Sequence, residues 1–147
     1  MKNRESNTDL YLLFVVDGQM YGIPSHNITG IQNIEKITAM PGSSYFVKGV
    51  INYVGTITPI IDLYLRFGKP ERGYTEYACI ILVDVDGSQK GFIAEEVSEV
   101  VSICKSQIIQ PPTSVPESTR RFVNGVGNID NNLILLLNSS ALFSEDV

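Results

Sequence analysis

The chain has 147 residues, of which 44% are hydrophobic and 18% are charged, and its net charge is −5. This composition is typical of a globular domain with a sizeable core and excludes a disordered chain, and the acidic balance disfavours DNA or RNA as a partner. The sequence has neither an apolar run of about 18 residues nor a signal-peptide core, so we expect a cytoplasmic protein without direct membrane insertion.

A β-hairpin is predicted near the start of the chain. The polar segment 1–9 is expected to be a flexible N-terminus. The hydrophobic run 10–16 then ends at the turn pair Asp17-Gly18, and the run resumes over 20–23. An Asp-Gly pair between two apolar runs is a strong hairpin signal.

A short helix is predicted after this hairpin. Ile28, Ile31 and Ile34 recur at every third position, which suits one face of a helix or turn. Ser25 precedes them as a candidate cap, whereas Gly30 weakens the pattern.

The remaining predicted elements come twice in the same order. The first series comprises a short strand over 37–41, strands over 49–55 and 57–63 joined around Gly55-Thr56, and a polar crossover over 64–76. The second series comprises strands over 78–85 and 91–94 around the turn 86–87, apolar positions from 97 to 103, strands over 108–109, 122–129 and 133–137, and a terminal helix over 139–145. The proline-rich segment 110–121 predicts an exposed, mobile loop.

An internal duplication underlies this order. Residues from Phe46 onward align without a gap with those from Phe122 onward, and the earlier segments align through Asp17-Gly18 and Asp86-Gly87. We therefore predict a single domain over 10–145 that contains repeat units of about 12–67 and 81–143. Equivalent, inward-facing positions are expected for two pairs, Val50 with Val126 and Ile61 with Leu137.

The fold class follows from strand spacing and duplication together. Short, evenly spaced strands with glycine-rich turns predict an all-β protein with short helices. Two copies of one β unit further predict two small barrels that share one core. The assignment of strands to barrels stays open, since strands can cross between the halves.

Few side chains are available for catalysis or metal binding. His26 is the only histidine, and its place at a predicted helix start favours an exposed or capping-turn residue over a general base. Cys79 and Cys104 lie in apolar runs without CxxC spacing, which favours reduced, half-buried thiols. We expect no enzyme activity, no cofactor and no metal.

Several motifs in order carry a family resemblance. They are Phe14-x-x-Asp17-Gly18-x-x-Tyr21-Gly22-Ile23, Ile37-Thr-Ala-Met-Pro41, Phe46-Val-Lys-Gly-Val-Ile-Asn52, Gly55-x-Ile-x-Pro-Ile-Ile-Asp-Leu63 and Phe67-Gly68. With the second-half elements, this series closely resembles the CheW-type coupling proteins of bacterial chemotaxis. The resemblance extends from about Leu10 to Phe143.

The resemblance implies two SH3-like β-barrel subdomains around a shared hydrophobic core. It also implies an adaptor that links the regulatory domain of a CheA-type histidine kinase to the cytoplasmic tip of a chemoreceptor, with the tip in the groove between the subdomains. The implied partner contacts are Ile28, Ile31, Gly49, Asn52, Val54, Gly55 and Val97.

The chain departs from the family pattern at three motifs. The usual Asn-Leu-Arg-Gly reads Asn52-Tyr53-Val54-Gly55, and the usual Val-x-Glu-Ile reads Ile28-Thr29-Gly30-Ile31. The third is a milder change, in which the common Val-Asp-x-Val reads Ala94-Glu95-Glu96-Val97. The joint loss of Arg and Glu predicts that a charge pair has gone, which is a change that alters partner choice more readily than the fold.

Three alternatives to the coupling adaptor stay open from the sequence. One is a divergent CheW-like scaffold that serves a different kinase or receptor system, and another is a small ligand-binding β-barrel. The third is a nucleic-acid-binding barrel in which Tyr11, Tyr21, Tyr45 and Tyr53 stack on bases, which the acidic pI opposes.

Overall fold

The computed structural model describes residues 8–144, which form eleven strands and three short helices. The first six strands are β1 (Thr8–Val16), β2 (Gln19–Pro24), β3 (Ile28–Asn33), β4 (Val47–Tyr53), β5 (Thr56–Asp62) and β6 (Cys79–Val85). The others are β7 (Ser88–Ala94), β8 (Glu96–Cys104), β9 (Ile108–Ile109), β10 (Val123–Ile129) and β11 (Asn132–Leu137). The helices are α1 (Leu63–Arg66), α2 (Glu117–Arg120) and α3 (Ser139–Leu142).

The strands form two sheets that exchange hairpins between the two halves of the chain. One sheet has the order β8-β1-β2-β11-β10-β9, and the other has the order β3-β6-β7-β5-β4. Each sheet therefore combines the first hairpin of one half with the later strands of the other half. This confirms the predicted all-β class with two SH3-like subdomains, and it answers the question of strand assignment.

The two halves share their strand registers. Val47 lies opposite Ile61 in β4–β5 and Val123 lies opposite Leu137 in β10–β11, and a β-bulge follows at the same place in both hairpins. Ile61 and Leu137 are each 2% exposed. Val126 is also buried, whereas its counterpart Val50 is half-buried. The predicted pairs thus occupy equivalent positions.

Alternate side chains of the central strands enter different cores. In β1, Leu12, Phe14 and Val16 face the large core between the subdomains, while Tyr11 and Leu13 belong to a smaller core. Both faces of such strands are buried, which explains the continuous hydrophobic runs in the sequence. Each fully buried side chain of this size contributes about 1.5–3 kcal/mol of transfer free energy.

Four two-residue turns close the main hairpins. Both central residues of each turn have positive φ, as type I′ geometry requires, and this geometry matches the twist of the flanking strands. The four turn pairs are Asp17-Gly18, Val54-Gly55, Asp86-Gly87 and Asp130-Asn131.

The helix predicted over the three isoleucines is wrong. Ile28 and Ile31 lie in β3, with single 3₁₀ turns at Ser25–Asn27 and Ile34–Lys36 on either side. Burial alternates along β3, and Ile31 is on its solvent side at 47% exposure. The isoleucines therefore do not share a buried face, and their β-branched side chains favour a strand.

Other boundaries also differ from the prediction. The strand predicted over 37–41 is a single bridge between Thr38 and Val50, and the β4–β5 turn is centred on Val54-Gly55 rather than on Gly55-Thr56. The crossover contains buried helix α1, the proline-rich loop contains α2 with Thr119 buried, and Thr8 and Asp9 lie in β1. Residues 1–7 of the predicted flexible N-terminus and Glu145 of the predicted last helix lie outside the described residues.

Candidate partner-binding surface

The β4–β5 turn presents an apolar side chain in a strained conformation. Val54 has a φ of 49° and is 84% exposed. A β-branched residue is disfavoured at positive φ, with a cost of about 1–3 kcal/mol. Asn52 supports the turn, because its side-chain oxygen accepts a hydrogen bond from the Gly55 amide at 3.1 Å. Asn52 and Gly55 therefore shape the turn, and Val54 is the side chain that it presents.

Tyr53 lies directly over the main chain of β3. Its hydroxyl donates to the carbonyl oxygen of Thr29 at 3.3 Å. A Cβ atom added at Gly30 would overlap that hydroxyl and would stand 3.0 Å from the ring carbon that bears it. The aromatic ring thus occupies the space that a side chain at position 30 would need.

We call residues 29–31 and 52–57 the Tyr53 corner. Three apolar side chains of this corner are largely exposed, namely Val54 at 84%, Ile57 at 61% and Ile31 at 47%. The wider ranges 28–34 and 49–61 contain no charged residue. The corner is therefore an uncharged surface with three exposed apolar side chains on an acidic protein.

The remaining predicted contact residues lie deeper in the structure. Ile28 and Val97 are half-buried against the large core, opposite Val83 and Phe14 respectively. Gly49 is buried, and a Cβ atom there would overlap the backbone carbonyl of Thr38. The structure thus places Asn52, Val54 and Gly55 in one turn and Ile31 next to Gly30 in β3, whereas Ile28, Gly49 and Val97 pack against the large core or the main chain.

The equivalent region of the second half has a different surface. We call residues 98–100 and 128–133 the Glu99 corner, because the repeat alignment and strand registers place Glu99 where Gly30 lies. Glu99, Ile129, Asp130 and Leu133 line a common cleft of about 350 Å³. This corner therefore carries two carboxylates and an open cleft.

Arg66 is a buried cation that sequence reasoning missed. It is 1% exposed, and its guanidinium carbon lies 4.1 Å from the ring centroid of Phe46 and 4.7 Å from that of Phe122. The side chain donates hydrogen bonds to the carbonyl of Leu142 at 2.8 Å and to that of Ser144 at 2.9 Å. Position 66 aligns with Leu142, an apolar residue of the second half. That alignment is the one feature of the sequence that indicates burial at position 66.

Tyr53 is a second residue that sequence reasoning missed, and it lies in the Tyr53 corner. The sequence indicates it only as a departure from the family motif and as a possible stacking residue. The repeat alignment pairs Tyr53 with Ile129, so it indicated a side chain near the end of a hairpin. The contact with Gly30 depends on the packing of β3 against the hairpin, which no local pattern encodes.

A charged cluster fixes the crossover to the first hairpin. Lys69 Nζ lies 2.8 Å from a carboxylate oxygen of Asp17, and Arg72 pairs with the other oxygen. The hydrogen bonds from Lys69 and Arg72 hold the pKa of Asp17 below its usual range.

Burial of the Tyr21 hydroxyl, with a smaller effect of the nearby Asp17 charge, raises the pKa of Tyr21 to about 12.

Three further properties of the described residues concern metal-type clusters, free thiols and membrane-spanning helices. Within 8–144, no group of three or more His, Cys, Asp or Glu side chains is placed to hold a metal ion. His26 is exposed in its 3₁₀ turn, and the half-buried Cys79 and Cys104 are free thiols. In that same part of the chain, none of the helices has the length and hydropathy needed to cross a bilayer.

Comparison with known proteins identifies the family. The family model described as CheW-like domain matches residues 10–147. The chain belongs to the CheW-like domain family. A crystal structure of the scaffolding protein TtCheW from Thermoanaerobacter tengcongensis matches with a TM-score of 0.85 and 30% identity, over 94% of this chain and 89% of that one.

Curated relatives agree with this membership. The chemotaxis protein CheW of Bacillus subtilis is 28% identical over 92% of this chain and 86% of its own length. The probable chemotaxis protein CheW of Rhizobium etli is 33% identical over 91% of this chain and 86% of its own length. Both alignments span the two subdomains, so the resemblance read from the motifs is confirmed.

The structure gives a physical reason for the Gly30 departure. The expected Glu side chain cannot be accommodated at position 30 while Tyr53 lies over it. Gly30 and Tyr53 therefore fit one another sterically, and this fit does not involve Val54. The predicted loss of a charge pair is not needed to account for Gly30.

Proposed function

We propose that this protein is a non-enzymatic adaptor of bacterial chemotaxis that acts in the cytoplasm. It couples a CheA-type histidine kinase to the cytoplasmic tips of chemoreceptors through protein–protein contacts. The observation that carries this proposal is the CheW-like match over 10–147, with relatives that are named as chemotaxis and scaffolding proteins. An adaptor needs two surfaces rather than a reactive group.

The Tyr53 corner is the surface that we assign to the receptor tip. Its exposed Ile31, Val54 and Ile57 provide apolar area, and it contains no charge. Apolar burial contributes about 25 cal/mol per Å² before the costs of ordering and association. Because charge pairs are absent from the corner, we expect receptor binding to depend little on salt.

Co-assembly with both partners tests the proposal. Immobilised CheA regulatory domain should retain the protein, and a chemoreceptor-tip fragment should bind the retained complex without displacing it. Native mass spectrometry of the purified protein should show no stoichiometric small molecule. Absence of retention, together with a bound small molecule at full occupancy, would instead support a ligand-binding β-barrel.

A second candidate is a divergent CheW-like scaffold for a different kinase or receptor system. Gly30, Tyr53 and Val54 favour it, since they replace three family residues on one surface. This alternative predicts that the protein binds the CheA regulatory domain but rejects typical receptor tips, or the reverse. The same co-assembly experiment therefore separates the two candidates.

A further inference from the structure

The lack of charge distinguishes the Tyr53 corner from the Glu99 corner. Charged residues make up 18% of the chain, yet the ranges 28–34 and 49–61 contain none. The aligned ranges of the second half, 97–103 and 125–137, contain Glu99 and Asp130. The same backbone therefore accepts carboxylates at these positions, and the first half presents none.

The absence of a carboxylate at position 30 follows from the packing of Tyr53. The ring covers Gly30, and its hydroxyl is held by the Thr29 carbonyl. In the Glu99 corner, Tyr53 aligns with Ile129, whose side chain is shorter. Glu99 is exposed there, beside the cleft. Positions 30 and 53 are thus coupled, because an aromatic ring at 53 excludes a long acidic side chain at 30.

We propose that Tyr53 determines partner specificity at this surface, an inference that rests on the proposed function. The Tyr53 ring occupies the space that a side chain at position 30 would need. The surface therefore lacks a carboxylate that could pair with a basic residue of the partner. A cation brought against this corner would lose its hydration without gaining a counter-charge, which is costly. The corner therefore selects a receptor tip whose facing segment is apolar and lacks a lysine or arginine.

A stability cycle tests the coupling without any partner. Gly30→Glu should lower the Tm by roughly 4 °C or more, since the ring of Tyr53 must leave its position. Adding Tyr53→Leu, which restores the family residue at both positions, should recover most of that loss. Equal losses with and without Tyr53→Leu would overturn the coupling. Tyr77→Leu, at a tyrosine that is 63% exposed, is the matched control and should leave the Tm unchanged.

A binding experiment tests the specificity itself. The probe is a chemoreceptor-tip fragment from the same host, together with a lysine scan of its surface positions. The wild type should bind at least one lysine variant tenfold or more weakly than the parent fragment. The Gly30→Glu/Tyr53→Leu protein should recover at least fivefold of that loss at about 50 mM salt, and high salt should remove the recovery.

The outcomes separate this inference from the proposed function. If the double variant ranks the lysine variants as the wild type does, Tyr53 does not set specificity and the inference is wrong. If the wild type binds no receptor fragment, the proposed function fails, and the inference fails with it. Tyr77→Leu should rank the fragments as the wild type does, and any other ranking would also count against Tyr53.

Discussion

The Tyr53 corner and the Glu99 corner have one backbone design and two different surfaces. Each consists of a strand with a β-bulge beside a hairpin that ends in a type I′ turn. In the Tyr53 corner an aromatic ring covers a glycine and the turn presents valine, whereas the Glu99 corner has an acidic rim around a cleft of about 350 Å³. Duplication has therefore preserved the registers, and a few side chains decide what each end of the molecule can bind.

Arg66 is the position where exchanging the two halves should cost most. Arg66→Leu gives the first half the residue that the second half has at 142, but it removes the hydrogen bonds to the carbonyls of Leu142 and Ser144 and two cation–π contacts. We expect the free energy of unfolding to fall by about 4 kcal/mol in urea titrations. Arg72→Leu, at a partly exposed arginine, should cost less than about 1 kcal/mol. Similar losses for the two variants would contradict the role of Arg66.

Alanine at the bulge glycine should also cost more stability in the first half, at Gly49, than in the second half, at Gly125. Gly49→Ala forces a Cβ atom against the Thr38 carbonyl, which is part of the backbone and cannot move aside easily. A Cβ atom from Gly125→Ala meets the Ile108 side chain at 2.7 Å, which can rotate, and the Ile109 carbonyl only at 3.2 Å. We expect losses of about 3 and about 1.5 kcal/mol in thermal unfolding. A larger loss for Gly125→Ala would show that the first-half bulge is the more adaptable one.

The turn residues Val54 and Asp130 can be tested by substitutions with opposite expected effects on stability. Val54→Asn should raise the stability by about 1 kcal/mol, because Asn tolerates positive φ and Asn-Gly is a favoured type I′ pair. Asp130→Val should lower it by a similar amount, since it introduces the same strain into the second half. Chemical denaturation of both variants measures this. No gain from Val54→Asn would mean that Val54 is not strained.

The smallest expected effect concerns Asp17, in the first turn of the first half. Asp17 has a lowered pKa because Lys69 and Arg72 bond to it, so its contribution to stability is present above its ordinary pKa of 3.8 and is lost as the pH falls through the lowered value. Asp17→Asn should therefore lower the Tm slightly at pH 7 and not at all in strong acid. A Tm difference that persists in acid, or in high salt, would contradict this assignment.

Local patterns were sufficient to predict the hairpins and the duplication. The Asp-Gly pairs at 17–18 and 86–87 and the hydrophobic runs beside them predicted strands that the structure contains. The exchange of hairpins between sheets could not be predicted, because pairing partners such as β1 and β8 are distant in sequence and no local pattern encodes which strands pair. The spacing of Ile28, Ile31 and Ile34 predicted a helix wrongly, because the sequence alone does not show that the Ile31 side chain is exposed to solvent.

The motifs predicted the residues of the candidate site, and their role in binding stays a prediction. Asn52, Val54 and Gly55 lie in one turn, while Gly49 lies against the backbone of Thr38. The contact of Tyr53 with Gly30 joins two elements that are separate in the chain, so neither residue alone indicated it. A charged residue such as Arg66 is read as exposed unless its aligned partner in the other half is considered.

Val54→Asp tests the central claim most directly, because it places the turn residue of the Glu99 corner into the Tyr53 corner and keeps the turn geometry. Isothermal titration of a chemoreceptor-tip fragment should show at least tenfold weaker binding for Val54→Asp, with retention by the CheA regulatory domain unchanged and wild-type affinity changing less than about threefold between low and high salt. Asp130→Asn should bind the fragment as the wild type does. Unchanged affinity for Val54→Asp, or a steep loss of wild-type binding with added salt, would contradict the assignment of the receptor surface to the Tyr53 corner.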